Sequence, residues 1–211
     1  MRKSKAEAAQ TRRRIVEVAA SAFKANGIHA TGVAEIMAAA GLTHGAFYRH
    51  FASKEQLVTE ACAASMDILV EAAEEAAREG PEAFLQYLGD FFTTEAREEL
   101  LGGCCLVAMG SELARSDAET RRVATRGFQG LIDIVARYNH PGDAPSARAD
   151  AIFTLSSMIG AVSIAKIVDD PKLANQILEV AKNRLVEWQD STGKLVPKAQ
   201  LIEGLEQASA H

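Results

Sequence analysis

The chain has 211 residues and a mass of 22.6 kDa, long enough to bury a sizeable core, and its 48% hydrophobic and 24% charged residues exclude a disordered or fibrous polypeptide. The net charge of -5 conceals an asymmetry, because residues 1–54 carry nine Lys/Arg against three acids while residues 55–211 carry fourteen against twenty-five. A basic head on an acidic body suits a polyanion such as DNA, with a merely solvated basic tail as the competing explanation.

Alanine occurs 39 times and the five prolines fall only at 81, 141, 145, 171 and 197, so long proline-free stretches rich in a strong helix former predict an all-α fold. Three cysteines, Cys62, Cys104 and Cys105, cannot all pair within one chain, and no Cys/His spacing resembles a zinc site. Reduced thiols, no metal and no cofactor are expected. The N-terminal MRKSKAEAAQTRRR has no apolar segment behind it, and the uncharged run 151–165 reads as too short and too rich in Ser/Thr to span a bilayer. The expectation is a soluble, cytoplasmic (nucleoid-associated) protein.

In chain order, Ser4-Lys5-Ala6-Glu7 is a possible capping box for a first helix with the apolar stripe Ile15, Val18, Ala19, Ala22 and Phe23. Asn26-Gly27 ends it, Arg12 and Arg13 occupy the opposite face, and Arg2, Lys3 and Lys5 lie on a terminal arm, a layout that leaves cations free to meet phosphates, with solvation as the competing explanation. A short helix over about 33–40 follows, capped by Gly32 or Thr31 and stopped by Gly41 in a left-handed conformation. Thr43 can cap a second short helix with Phe47 and Phe51 on its buried side, which makes a helix-turn-helix. Ser53-Lys54-Glu55-Gln56 is a further capping box, opening a long helix to about Arg78 that Gly80-Pro81 stops. Helices from Glu82 to about Leu101, from Cys104 to Ala114, and from a Ser116 or Asp117 cap to about Tyr138 come next, and 139–146 reads as a loop. Residues 147–168 are apolar around most of the circumference. Asp170-Pro171 then opens a last long helix, and the tail after Pro197 can form one more amphipathic helix with Leu201 and Leu205.

The stretch Thr31–Leu57, TGVAEIMAAAGLTHGAFYRHFASKEQL, resembles the signature of the tetracycline-repressor (TetR) family of bacterial transcriptional regulators. The shared pattern is a Thr, an Ile within a short helix, an Ala-Gly turn, a hydroxyl, a Gly, and aromatic-x-His-Phe-x-x-Lys-Glu-x-Leu. Two departures are Gly32, where the family often has a hydroxyl, and Met37, where it often has Ala. The resemblance implies about nine helices in an all-α homodimer, with a three-helix DNA-binding domain over 1–54 and a ligand-responsive, dimerising domain over 55–211. The implied function is a ligand-responsive transcriptional regulator, by family majority a repressor, that binds a palindromic double-stranded operator and is released by a small hydrophobic or electrophilic effector.

On that pattern Thr31, Thr43, Tyr48, His50 and Lys54 would hold phosphates, while His44, Gly45 and Arg49 would face base edges. Tyr48 and His50 can equally be read as packing between helices. Candidate effector contacts are Met66, Phe84, Tyr87, Leu88, Phe91, Phe92, Cys104, Cys105, Met109 and Phe128, each also readable as ordinary core. A dimer interface is expected on 147–168 and 171–189 through Phe153, Met158, Ile159, Val162, Leu173, Ile177, Val180 and Trp188, with an internal core as the alternative. Three other functions stay open: a thiol-based sensor using Cys104 and Cys105, a helical ligand carrier without DNA function, and a thiol-dependent enzyme. The enzyme is disfavoured, since His29, His44 and His50 lie in the basic head, His211 is terminal and only His140 remains as a base.

Overall fold

The computed structural model describes residues 5–92, 104–139 and 146–191, the side chains of Pro81, Asn139 and 186–191 excepted. Among the described residues it is all-α. In order come α1 (Lys5–Asn26), α2 (Val33–Ala39), a 3-10 helix (His44–Arg49), α3 (Lys54–Glu79), α4 (Pro81–Asp90), α5 (Cys105–Leu113), α6 (Ala118–Asn139), α7 (Ala147–Ile167) and α8 (Pro171–Ser191). The Ser4 cap, Arg2 and Lys3 of the expected arm, Gly102-Gly103, most of the 139–146 loop and the helix expected after Pro197 lie outside the described residues, whereas Lys5, expected on the arm, is the first residue of α1.

The chain divides into two compact units, residues 1–72 with 98–131 and residues 73–97 with 132–211, so α3 and α6 each belong partly to both. In the first unit α1 buries Ile15, Val16, Ala19, Ala20 and Phe23. The stripe is thus rotated slightly from the expected one, since Val18 and Ala22 are only half-buried. Gly27, at φ +86°, ends α1, and Gly41, at φ +70°, turns the chain out of α2. Gly32 is the N-cap of α2 and supplies no side-chain hydrogen bond.

The segment expected to be a recognition helix over Thr43–His50 is instead a six-residue 3-10 helix. Its bonds run from Ala46 N-H to Thr43 O (3.0 Å) and from His50 N-H to Phe47 O (2.8 Å), and the Thr43 side chain makes no cap bond. A piece this short cannot repay the nucleation of an α-helix, and Gly45 adds a residue of low helix propensity. Phe47 and Phe51 are 1% exposed and stack with ring centroids 5.5 Å apart, so aromatic burial rather than helical length fixes the turn.

The start of α3 is capped as its sequence suggests, with one displacement. Ser53 Oγ accepts from Gln56 N-H at 3.2 Å, but Gln56 Oε1 accepts from Ala52 N-H at 2.8 Å rather than from Ser53. Asp117 caps α6 by accepting from Thr120 N-H at 2.8 Å, and Asp170 caps α8 by accepting from Lys172 N-H at 2.9 Å. The helix expected from Glu82 to Leu101 ends at Asp90, with Phe91 and Phe92 in a turn.

In the second unit α7 packs along α8, burying Ala151, Thr154, Leu155, Met158, Ala161, Val162 and Ala165 on one stripe. Met158 and Val162, expected at a dimer interface, therefore face the protomer's own core, because they fall one turn apart on this inward row. Phe153, Leu173 and Val180 lie on the outward faces at 50%, 43% and 52% exposure, Ile159 and Ile177 are half-buried, and the Trp188 side chain is outside the described residues. By length and composition alone α7, which extends beyond the uncharged run at both ends, could cross a membrane, an 18-residue window of its 21 residues having a mean hydropathy of 1.4. A helix that packs on a neighbour along one face passes the same test.

Candidate nucleic-acid interface

The Phe47–Phe51 anchor orients its neighbours by alternation: with Phe47 inward, Thr43, His44, Gly45, Tyr48 and Arg49 are all exposed, Tyr48 at 69%. Tyr48 sets its ring edge-on to Phe47 with centroids 5.2 Å apart, and His44 meets Tyr48 edge-on at 6.2 Å. A Cβ added to Gly45 would meet nothing within 4 Å, so its backbone is open to an approaching duplex. His50 is half-buried, between the expected phosphate contact and the packing alternative. Because the turn is 3-10 and six residues long, it lacks the macrodipole that a full α-helix would aim at a phosphate.

Of the expected phosphate contacts, Thr31 is corrected by its burial and Lys54 also bonds within the protomer. Thr31 is fully buried, and its hydroxyl donates to Gly27 O at 2.7 Å, so it fastens the α1–α2 loop instead of facing DNA. Lys54, half-buried, donates from Nζ to Ile28 O at 2.6 Å and lies 6.0 Å from the Phe23 ring centroid, which makes it a tie between α3 and the same loop. Arg12 was expected to stand free for phosphates. It is instead paired with Glu60 of α3, with Nε donating at 2.9 Å, and its guanidinium lies over the Phe51 ring at 4.1 Å. Gln56 Nε2 donates to the same Glu60 carboxylate at 3.3 Å, so a polar network crosses from α1 to α3. Arg13 and Arg14 remain exposed.

Sequence reasoning missed the group that fastens this head from the rear. Glu112 of α5 accepts from Ile28 N-H at 2.9 Å, from His29 N-H at 2.8 Å and at His29 Nδ1 at 2.8 Å. Burial pushes its carboxyl up, but the bonds from His29 and Ile28 outweigh burial and hold it below the usual carboxylate range. A Cβ on Gly27 would come within 3.0 Å of Glu112 Oε2, so a side chain there would crowd the contact. No local pattern signals a partner 83 or 84 residues away.

The effector candidates fall into two groups, one per unit. In the first, Met66, Cys104, Cys105 and Met109 are buried and Phe128 is half-buried. In the second, Phe84 and Leu88 are buried while Tyr87, Phe91 and Phe92 are half-buried, and Phe84, Tyr87 and Phe91 form a run of ring contacts. That run continues to a residue missed in the sequence, Tyr138, whose ring centroid lies 4.1 Å from that of Phe84. Among the described residues its buried hydroxyl has no hydrogen-bond partner, nor has the Thr154 hydroxyl, and burial pushes the Tyr138 phenol up to about 12. Burial also lowers the Lys182 ammonium, with Asp90 opposing.

Residues 15–61 match the family model described as bacterial regulatory proteins, tetR family. The HTH-type transcriptional regulator AcrR of Shigella flexneri is 46% identical over 59 residues, 28% of this chain and 27% of that protein, so the match spans about a quarter of the relative's length. Across the whole fold, a TetR transcriptional regulator from Chloroflexus aurantiacus superposes with a TM-score of 0.64 at 27% identity, covering 86% of this chain and 95% of its own. The regulator FadR from Bacillus subtilis, solved in complex with stearoyl-CoA, superposes with a TM-score of 0.60 at 20% identity, covering 80% and 96%. Residues 15–61, within the basic helix-turn-helix head, thus match the model of the tetR family of bacterial regulatory proteins, and the helical body shares its fold with a solved TetR transcriptional regulator.

Proposed function

We propose that the protein is a cytoplasmic transcriptional repressor that binds a palindromic operator as a homodimer and lets go when a small hydrophobic effector occupies its C-terminal helices. The observation that carries this reading is the exposed row Thr43, His44, Gly45, Tyr48 and Arg49 on a turn held rigid by Phe47 and Phe51. His44, Gly45 and Arg49 are assigned to base edges, and Thr43, Tyr48 and His50 to phosphates. Two such turns read one palindrome when they sit about 34–36 Å apart, the spacing of consecutive major grooves on one side of B-DNA.

Dimerisation is assigned to the outward side chains of α7 and α8. Ile164 and Ile167 are 52% and 80% exposed, and Leu173 and Val180 continue an apolar strip on α8, more than a solvated pair of helices needs. An apolar effector suits the aromatic run of Phe84, Tyr87, Phe91 and Tyr138, and the unpaired Tyr138 and Thr154 hydroxyls would favour one that also accepts a hydrogen bond. The acyl-CoA held by the B. subtilis neighbour is one instance of such chemistry.

Selection of duplexes from a random library by the full-length protein tests the reading. A regulator enriches an inverted repeat and binds it with an affinity that falls steeply as salt rises. Recovery of no preferred sequence would refute the proposal and favour a helical carrier.

A further inference from the structure

α1 carries three arginines in succession, and a helical step of about 100° per residue sends them in three directions. Arg12 leans toward α3, where Glu60 and the Phe51 ring hold it, and Arg13 lies on the exposed face. Arg14 turns to the other flank, where α1 packs on α2. Its Nη2 lies 3.3 Å from the place where a Cβ on Gly41 would stand. The guanidinium therefore rests on the left-handed turn that leads the chain out of α2, two residues before Thr43 and the start of the exposed row. A side chain at residue 41 would crowd it, so the glycine that makes the turn also supplies the seat.

The fold itself makes no use of a cation there. The carbonyls that end α2 already have donors, since Ile36 O accepts from Ala40 N-H at 2.9 Å, Met37 O from Leu42 N-H at 2.8 Å and Ala38 O from Gly41 N-H at 2.9 Å. Among the described residues Arg14 makes no hydrogen bond or ion pair, and it is exposed. The negative end of a seven-residue helix can steady the guanidinium at this spot, but it leaves all of the N-H donors unused. A planar fork of unused donors fits a phosphate, which accepts two parallel N-H bonds.

We propose that Arg14, seated on Gly41, is a phosphate-binding residue that takes the DNA backbone beside Thr43 at the edge of the exposed row. This rests on the function proposed above, and it adds a contact that neither the family pattern nor the basic composition of the head singles out. A duplex lying against Thr43 and Tyr48 brings the strand that borders the groove to the same edge. Arg14 then fixes how the head sits along that strand and carries no sequence information of its own. Its two neighbours differ from it in kind: the Arg12 guanidinium is already bonded to a carboxylate, and no turn seats Arg13.

The test titrates a fluorescent random-sequence duplex and the selected duplex with full-length wild type, Arg14→Gln, Arg14→Lys and Arg13→Gln over a range of sodium chloride concentrations. Arg14→Gln should weaken both duplexes by the same factor, about fivefold per protomer at physiological salt, and make the log–log salt slope shallower by about 0.9 per protomer. Arg14→Lys should keep most of that slope, because an ammonium still meets a phosphate as a point charge. Arg13→Gln should change it much less, and urea midpoints of all four proteins should coincide. A wild-type slope in Arg14→Gln overturns the assignment. So does an equal change in Arg13→Gln, which would make the total charge of the head the cause. A lowered urea midpoint in Arg14→Gln, or a loss confined to the selected duplex, overturns it as well, since the first marks a structural tie and the second a base contact. If the library yields no preferred sequence while Arg14→Gln still flattens the slope on random duplex, the repressor reading fails and the phosphate contact stands. Binding to no duplex at all overturns both.

Discussion

Glu112 takes two backbone donors and an imidazole from residues that follow α1 by a few positions and precede Glu112 itself by more than eighty. Its carboxyl titrates below its ordinary value of 4.5, so the stabilisation is complete above that pH and disappears as the pH falls through the lower folded value. Glu112→Gln should cost about 2 kcal/mol at neutral pH, since a charged acceptor is replaced by an amide whose nitrogen opposes one of the donors. It should also flatten the acid limb of a stability profile recorded by urea unfolding between pH 3 and 7. On the DNA-facing side, His44→Ala should change which sequences the selection enriches, at a cost of about 1–3 kcal/mol for the favoured base. Gly45→Ala should leave the unfolding curve in place, because open space surrounds the added methyl, yet weaken every duplex if the backbone approaches as closely as proposed. The exposed row was legible because its periodicity and its anchoring aromatics are local. Thr31 and Arg12 were misread because a hydroxyl or cation looks the same in a sequence whether it is solvated or already bonded to a carbonyl or a distant carboxylate.

Most helical elements were legible from alanine content, glycine stops and caps, and the discrepancies have identifiable causes. The stretch after Thr43 has helical spacing, but two inward phenylalanines hold it as a 3-10 turn that needs no α-nucleus. Within the first unit, helix approach is set at a position that sequence could not single out. A Cβ on Gly127 of α6 would lie 2.6 Å from Met66 Cβ on α3, a contact that no rotamer change can relieve because the obstruction is at the root of the side chain. Gly127→Ala should therefore force the helices apart and cost about 1–3 kcal/mol, despite alanine's better helix propensity, as a lowered urea midpoint would report. A spacing of two glycines, Gly127 and Gly130, in an otherwise good helix was the available signal. Its meaning depends on which helix crosses there.

For the molecule as a whole, the all-α class and the charge contrast between residues 1–54 and 55–211 follow from composition, whereas the side of α7 that faces outward does not. That helix is apolar nearly all round, and only its packing on α8 shows that Met158 and Val162 are spent internally. Leu173→Glu with Val180→Glu should leave the protomer folded, since both side chains are substantially exposed, and should yield a monomer by sedimentation. If dimerisation aligns two heads, that variant should lose operator affinity by a hundredfold or more while keeping its weak binding to a half-site.

The pairing of Arg12 with Glu60 leaves one fewer unpaired cation for phosphates than the head's formal charge suggests. Each phosphate contact displaces about 0.9 counterions, so one cation fewer makes the fall of affinity with ionic strength less steep by about that amount and weakens the hold on random sequence. A regulator of the proposed kind would then rely less on charge to stay on random sequence. Occupancy at its target would then be governed chiefly by shape agreement between turn and groove, which a modest internal rearrangement is enough to abolish.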